Sequence, residues 1–241
     1  MPRISESRCA GCGLCANVCR FGAIVALRDA ITIDEHICKG CGRCVSACPA
    51  GALYEEPIEV GATRAFTARA DAAPCGPGER DICVFEGRSV VGAIRTTAVI
   101  EASKRLALKL ALERGSEAMI RDCPPGISCP ATHAIEGADY VVLVAEPTEF
   151  SIHDLDAALR FVQGRSFPAG VVVNKDGFGG ADIEAACARR GVAIIGRIAF
   201  EQRRAASGAA GLLWEGDTEI TAEMERILDA AIGASRAGGR S

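Results

Sequence analysis

The chain has 241 residues, of which 49% are hydrophobic and 24% charged, with a formal net charge of −4. No apolar run approaches the ~18 residues that cross a bilayer, and no Lys/Arg stripe marks a nucleic-acid surface, so neither a membrane span nor a nucleic-acid partner is expected. Thirteen cysteines stand in a chain whose residues 1–7 offer no apolar signal core, which points to a reducing cytoplasm rather than a disulfide framework.

Two cysteine runs of the same spacing lie 29 residues apart: Cys9-x2-Cys12-x2-Cys15-x3-Cys19 and Cys38-x2-Cys41-x2-Cys44-x3-Cys48, the second followed by Pro49. Structural zinc takes paired knuckles with two cysteines each, whereas here every run offers three close thiols and a fourth. That register suits two cubane 4Fe–4S clusters in the bacterial two-cluster pattern, where the fourth cysteine of a run binds the other run's cluster. Cys9, Cys12, Cys15 and Cys48 are thus expected to hold one cluster, and Cys38, Cys41, Cys44 and Cys19 the other. The runs align as an internal repeat, with Gly11, Gly13, Gly40 and Gly42 allowing tight bends around a cluster. Arg20 stands where the second run has Pro49.

The ferredoxin-like part occupies about residues 1–57, leaving 58–233 for a second domain with its own core and 234–241 as a fraying tail. Segments 58–70 and 80–86 read as strands around the turn-rich stretch 73–78. Residues 97–114 form a helix, with Val99, Ala102, Leu106 and Leu110 as its apolar stripe. Strands at 118–122, 140–145, 170–174 and 192–196 then alternate with helices at 152–162, 181–190 and 218–232. Wholly apolar strands such as 141–144 are expected to be covered on both faces. The fold class is therefore α/β, a mostly parallel sheet flanked by helices.

Motifs stand at strand ends, where open α/β sheets bind ligands: Asp122-Cys123-Pro124-Pro125-Gly126, Glu146-Pro147-Thr148 and Asn174-Lys175-Asp176-Gly177. With the cysteine repeat they make the chain resemble the MinD/ParA-type deviant-Walker P-loop ATPases, in the branch that carries an inserted two-cluster ferredoxin. The resemblance implies that Asp122 orients a Mg²⁺-bound water and that Asn174 contacts the adenine of ATP. It also implies a Gly-rich, lysine-containing phosphate loop before the ferredoxin. None of the lysines, Lys39, Lys104, Lys109 and Lys175, lies in such a loop, and Gly87-x4-Gly92 continues into Ala93-Ile94. The phosphate-loop portion is expected to be absent, leaving a slot beside the 118–122 strand.

Other residues have structural readings. Ser151 is read as a helix N-cap answered by Asp154, which places His153 on a helix surface. His133 is read as solvated or packed, with the nucleotide site as the alternative, and His36 as structural, with tuning of the second run's cluster as the alternative. Cys75, Cys83, Cys123 and Cys129 are read as buried or free thiols, with another metal site as the alternative, and Cys187 as core. Three functions fit: an electron-transfer protein, the redox half of an ATP-driven machine, and a cluster assembly or carrier factor; a fragment of a complete ferredoxin-containing ATPase is a further alternative. Electron transfer is favoured over a competent ATPase. Redox donor and acceptor proteins are the implied partners, with a homodimer, or a heterodimer with a phosphate-loop-containing ATPase, as the implied assembly.

Overall fold

The computed structural model describes residues 1–27, 30–67, 82–92, 95–212 and 217–238. Its contacts divide the chain into two compact units, Met1–Met119 and Ile120–Ser241. The boundary expected near residue 57 thus falls inside the first unit, because a hairpin and a long helix belong to it. The stretch 73–78 with Cys75 lies outside the described residues, as do 239–241.

The first unit repeats one small device. Strands β1 (Pro2–Ile4) and β4 (Leu53–Glu55) pair antiparallel, as do β2 (Ile24–Leu27) and β3 (Ala30–Ile33). One-turn helices α1 (Leu14–Asn17) and α2 (Arg43–Ser46) each start after a left-handed glycine, Gly13 with φ 69° and Gly42 with φ 73°. Ile24 and Leu53 pack with Cys15 and Cys44 in one core cluster, and Met1 and Ala23 pack with Cys38 in another. The hairpin β5 (Gly61–Thr67) and β6 (Cys83–Ser89) pairs over seven positions and carries α3 (Thr96–Arg114) against it, with Val99 and Ala107 buried.

The second unit is α/β. Strands β7 (Val141–Ala145), β8 (Ala169–Asp176) and β9 (Ile194–Ala199) form a parallel sheet in that order, with β8 central. Helices α5 (Glu149–Gly164) and α6 (Ile183–Arg190) cover one face, burying Leu155, Leu159, Ile183 and Cys187 against Ala145, Val171 and Val173. Asp156 ties the two helices together by accepting from Arg190 Nε at 2.8 Å. The C-terminal helix α8 (Thr218–Gly238) packs against β9. It extends past the expected stop at residue 232, through part of the segment read as a tail. Two short helices that the sequence reading lacked are α4 (Cys129–Ile135) and α7 (Gln202–Ala209).

Three expectations are corrected. Residues 118–122 form no strand, and Ile120 is 80% exposed; an apolar run becomes a strand only beside a neighbour that takes its backbone hydrogen bonds, and among the described residues β7 pairs with β8 alone. Strand β7 is not covered on both faces, since Val142 and Val144 are 39% and 64% exposed. Ser151 does not cap α5. Thr148, with extended backbone, accepts from Ser151 N–H at 3.3 Å, while Ser151 Oγ accepts from Glu146 N–H at 2.9 Å. The helix therefore starts three residues earlier than expected, and His153 is exposed on its surface.

Polar ties fix the ends of this unit. Arg204, buried on α7, donates to Asp217 from Nε at 2.8 Å and to Glu219 from Nη2 at 3.1 Å, and pairs with Glu201. Asp217 also accepts from Ile220 N–H in the first turn of α8. The Arg204 hydrogen bond holds the Asp217 carboxyl down at about 2. Because this lies below the unfolded carboxyl range near 3.9, the stabilisation is complete above that range and is lost as pH falls through about 2. Asp217→Ala should lower the Tm at neutral pH, and acid titration followed by circular dichroism should show the gap from wild type closing between about pH 4 and 2.

The loops after β7 and β8 meet closely. Gly179 has φ +122°, and a Cβ there would run into the Pro147 carbonyl oxygen. Ala181 N–H donates to that same oxygen at 3.3 Å. Gly179→Ala should therefore destabilise the second unit by about 1–3 kcal/mol in denaturant unfolding.

Candidate metal centre

The eight cysteines of the two runs all lie in the first unit. After Gly13 and Gly42 the chain turns into α1 and α2, which brings Cys15 and Cys44 into the interior, while Cys12 and Cys41 stay exposed. Cys38 is buried, and Cys9, Cys19 and Cys48 are half-buried. One pocket is lined by Cys9, Cys12 and Cys15 of the first run together with Cys48 of the second, under apolar walls that include Ile4, Leu14, Ile31 and Leu53.

Backbone amides point at the sulfurs. Ala52 N–H donates to Cys48 Sγ at 3.3 Å, and Gly40 N–H to Cys38 Sγ at 3.5 Å. The Ala52 hydrogen bond is the main cause that lowers the Cys48 thiol. Burial raises the Cys15 and Cys44 thiols, outweighing their backbone hydrogen bonds. Bare thiolates are therefore disfavoured at the two buried positions, and a cation bound to the sulfurs removes that cost. An all-thiolate donor set, in glycine-bent loops with amides aimed at sulfur, fits 4Fe–4S clusters.

Arg95, which the sequence reading did not single out, reaches this centre from the residue before α3. Its Nη2 donates to Met1 Sδ at 3.0 Å, and lies 3.5 Å from Cys38 O and 3.9 Å from Cys38 Sγ. Nothing local in the sequence marks it, because the contact joins residues 57 positions apart. His36 is exposed, and its own backbone N–H is bound by Asp34 Oδ1 at 2.8 Å.

The residues expected to contact a nucleotide, Asp122 and Asn174, lie in the second unit. Asp122 is exposed in the irregular segment before α4. Its neighbour Arg121 anchors that segment by donating to the carbonyls of Ala134, Glu136 and Gly137 at the end of α4, a cation satisfying helix C-terminal carbonyls. Asn174 is half-buried near the end of β8, opposite Ile198 of β9. Lys175 follows with φ 54° and pairs its Nζ with Glu146 Oε1 at 2.8 Å, linking the turn after β7 to the end of β8. The structure thus joins the Glu146 turn to the strand end that carries Asn174, whereas Asp122 belongs to a separate segment.

Of the remaining groups, Cys187 is core as expected, Cys123 is half-buried and Cys129 exposed. Cys83 is not a free thiol but is disulfide-bonded. His133 is half-buried on α4, 4.0 Å from Glu136 Oε2. No helix among the described residues is long and apolar enough to cross a membrane.

Residues 8–53 match the family model of the 4Fe–4S dicluster domain. The chain is 30% identical over 91 residues to the uncharacterized protein MJ0579 of Methanocaldococcus jannaschii, an alignment covering 38% of this chain and 32% of that protein. Among solved structures, the MinD cell division protein of Aquifex aeolicus aligns with a TM-score of 0.43 and 22% identity, covering 60% of this chain and 61% of that one. The MinC:MinD cell division protein complex of the same organism aligns with a TM-score of 0.42 and 20% identity, covering 59% and 60%. The chain therefore spans about a third of the curated relative and about three fifths of these structures. Its N-terminal segment is an iron–sulfur domain of the dicluster type.

Proposed function

We propose that this chain is a cytoplasmic electron-transfer protein that holds two 4Fe–4S clusters in its first unit, and whose second unit uses ATP only when a phosphate loop is supplied to it. The observation that carries the cluster reading is the pocket in which Cys48 joins Cys9, Cys12 and Cys15. Crossed ligation requires that grouping, because the last cysteine of one run must reach the first three of the other. Cys19 is assigned to the partner set with Cys38, Cys41 and Cys44.

Bound clusters supply one-electron chemistry at low potential. The chain's own residues hold and shield them. The Gly40 and Ala52 amides donate toward Cys38 and Cys48, and Ile4, Leu14, Ile31 and Leu53 limit water around the first set. Donor and acceptor proteins are the partners of this unit.

The second unit's reading rests on the motif resemblance. Asp122 is assigned a Mg²⁺ contact and Asn174 a base contact, completed by a homodimer partner or a phosphate-loop-containing ATPase. The side of β7 that no strand pairs among the described residues, and its exposed Val142 and Val144, support an added element there.

Anaerobically purified protein should carry about eight iron and eight sulfide per chain. Cys19→Ala should damage the cluster held by Cys38, Cys41 and Cys44, and Cys48→Ala the one held by Cys9, Cys12 and Cys15, as read by electron paramagnetic resonance. Zinc without sulfide would overturn the reading. Calorimetry of the 241-residue chain with Mg-ATP should show no micromolar binding, because phosphate affinity in such folds comes chiefly from loop amides at a helix N-terminus and a lysine. Micromolar binding would mean that the phosphate site lies elsewhere in the chain.

A further inference from the structure

The two cysteine runs repeat in backbone but not in surroundings. Gly11 and Gly40 hold equivalent places, each two residues after the first cysteine of its run, and both have φ +64°. A Cβ on Gly11 would meet nothing within 4 Å. A Cβ on Gly40 would meet Arg95, with Cζ, Nη1 and Nη2 at 2.6, 2.7 and 2.8 Å. Those three nearly equal distances mean that the guanidinium presents its face to the place a Gly40 Cβ would take, with Nη2 3.9 Å from Cys38 Sγ. The bare glycine is what admits it.

We propose that Arg95 is a positioning residue that makes the two clusters inequivalent, raising the reduction potential of the one held by Cys38, Cys41, Cys44 and Cys19. This rests on the cluster assignment above. Reduction adds one negative charge to a cluster, and a fixed cation beside a ligating sulfur stabilises the reduced form more than the oxidised one. Half-buried beside a buried cysteine, Arg95 is only partly screened by water. The sequence adds charge of the same sign: Lys39 and Arg43 lie in the second run where the first has Ala10 and Leu14, and Arg20 follows Cys19. Those three are exposed and strongly screened, so Arg95 dominates the difference. A single electron entering the pair comes to rest on the Arg95 side.

A redox titration of the loaded, full-length chain, followed by electron paramagnetic resonance, tests this. Wild type should show two separable one-electron steps. Arg95→Gln should shift the higher step downward by at least tenfold in its equilibrium constant, about 59 mV for one electron, and leave the lower step in place. Arg95→Lys, which keeps the charge but not the flat fork, should recover part of the shift. Gly40→Ala should reproduce the downward shift by displacing the guanidinium. Gly11→Ala, with the same backbone strain and no cation to displace, should not. The glycine pair decides the matter if Arg95→Gln fails to load. Steps unmoved in Arg95→Gln, both steps moving together, or equal effects of the two glycine variants would overturn the proposal. A wild-type chain without iron and sulfide overturns the cluster reading and this one with it, whereas a loaded chain with unmoved potentials overturns this one alone.

Discussion

Sulfur takes up much of the interior of the first unit. Cys15 and Cys44 sit among Ile24 and Leu53, and Cys38 among Met1 and Ala23. Burial favours the protonated thiol at Cys15 and Cys44, so a metal must displace those protons to bind. The strand pairs around them are only three and four residues long, too short to stand as independent sheets. What the sulfurs hold and whether the unit folds are therefore linked through one equilibrium.

An internal repeat guarantees similar local backbone and nothing more. The left-handed glycines recur at matching φ in both runs because the same bend recurs. The environment of each bend is set by distant parts of the chain. Arg95, just before α3, reaches Cys38 of the second run, while Leu14 and Ile31 wall the pocket of the first. Duplication thus supplied two equivalent frames, and tertiary structure differentiated them.

What could be read from the sequence follows from the range of the interactions involved. The cysteine spacing is local chemistry, and 3.6-residue periodicity is visible in any amphipathic helix, so the runs and helices α3, α5, α6 and α8 were legible to within a few residues. The 118–122 strand was misread because its apolar character says nothing about whether a neighbour is present to pair with it. Ser151 was misread as a cap because Thr148, three residues upstream, competes for the same role, and its side chain accepts from Ser151 N–H. Helices α4 and α7 are short and lack a clear apolar stripe. Arg95 and Arg121 act on groups that only the folded chain brings near, so no spacing rule could have found them. The roles expected of Asp122 and Asn174 rest on motif resemblance alone.

Strand β7 reads Val-Val-Leu-Val-Ala, with no charge, proline or bulge along its length. Natural sheet edges usually carry one of these, because an uninterrupted row of free amides and carbonyls is a template for any other extended chain. Such an edge, with valines open on one face, makes the colloidal behaviour of the chain sensitive to concentration and temperature. Light scattering that grows with protein concentration, while far-ultraviolet dichroism stays native-like, is the expected signature of chains stitching together edge to edge.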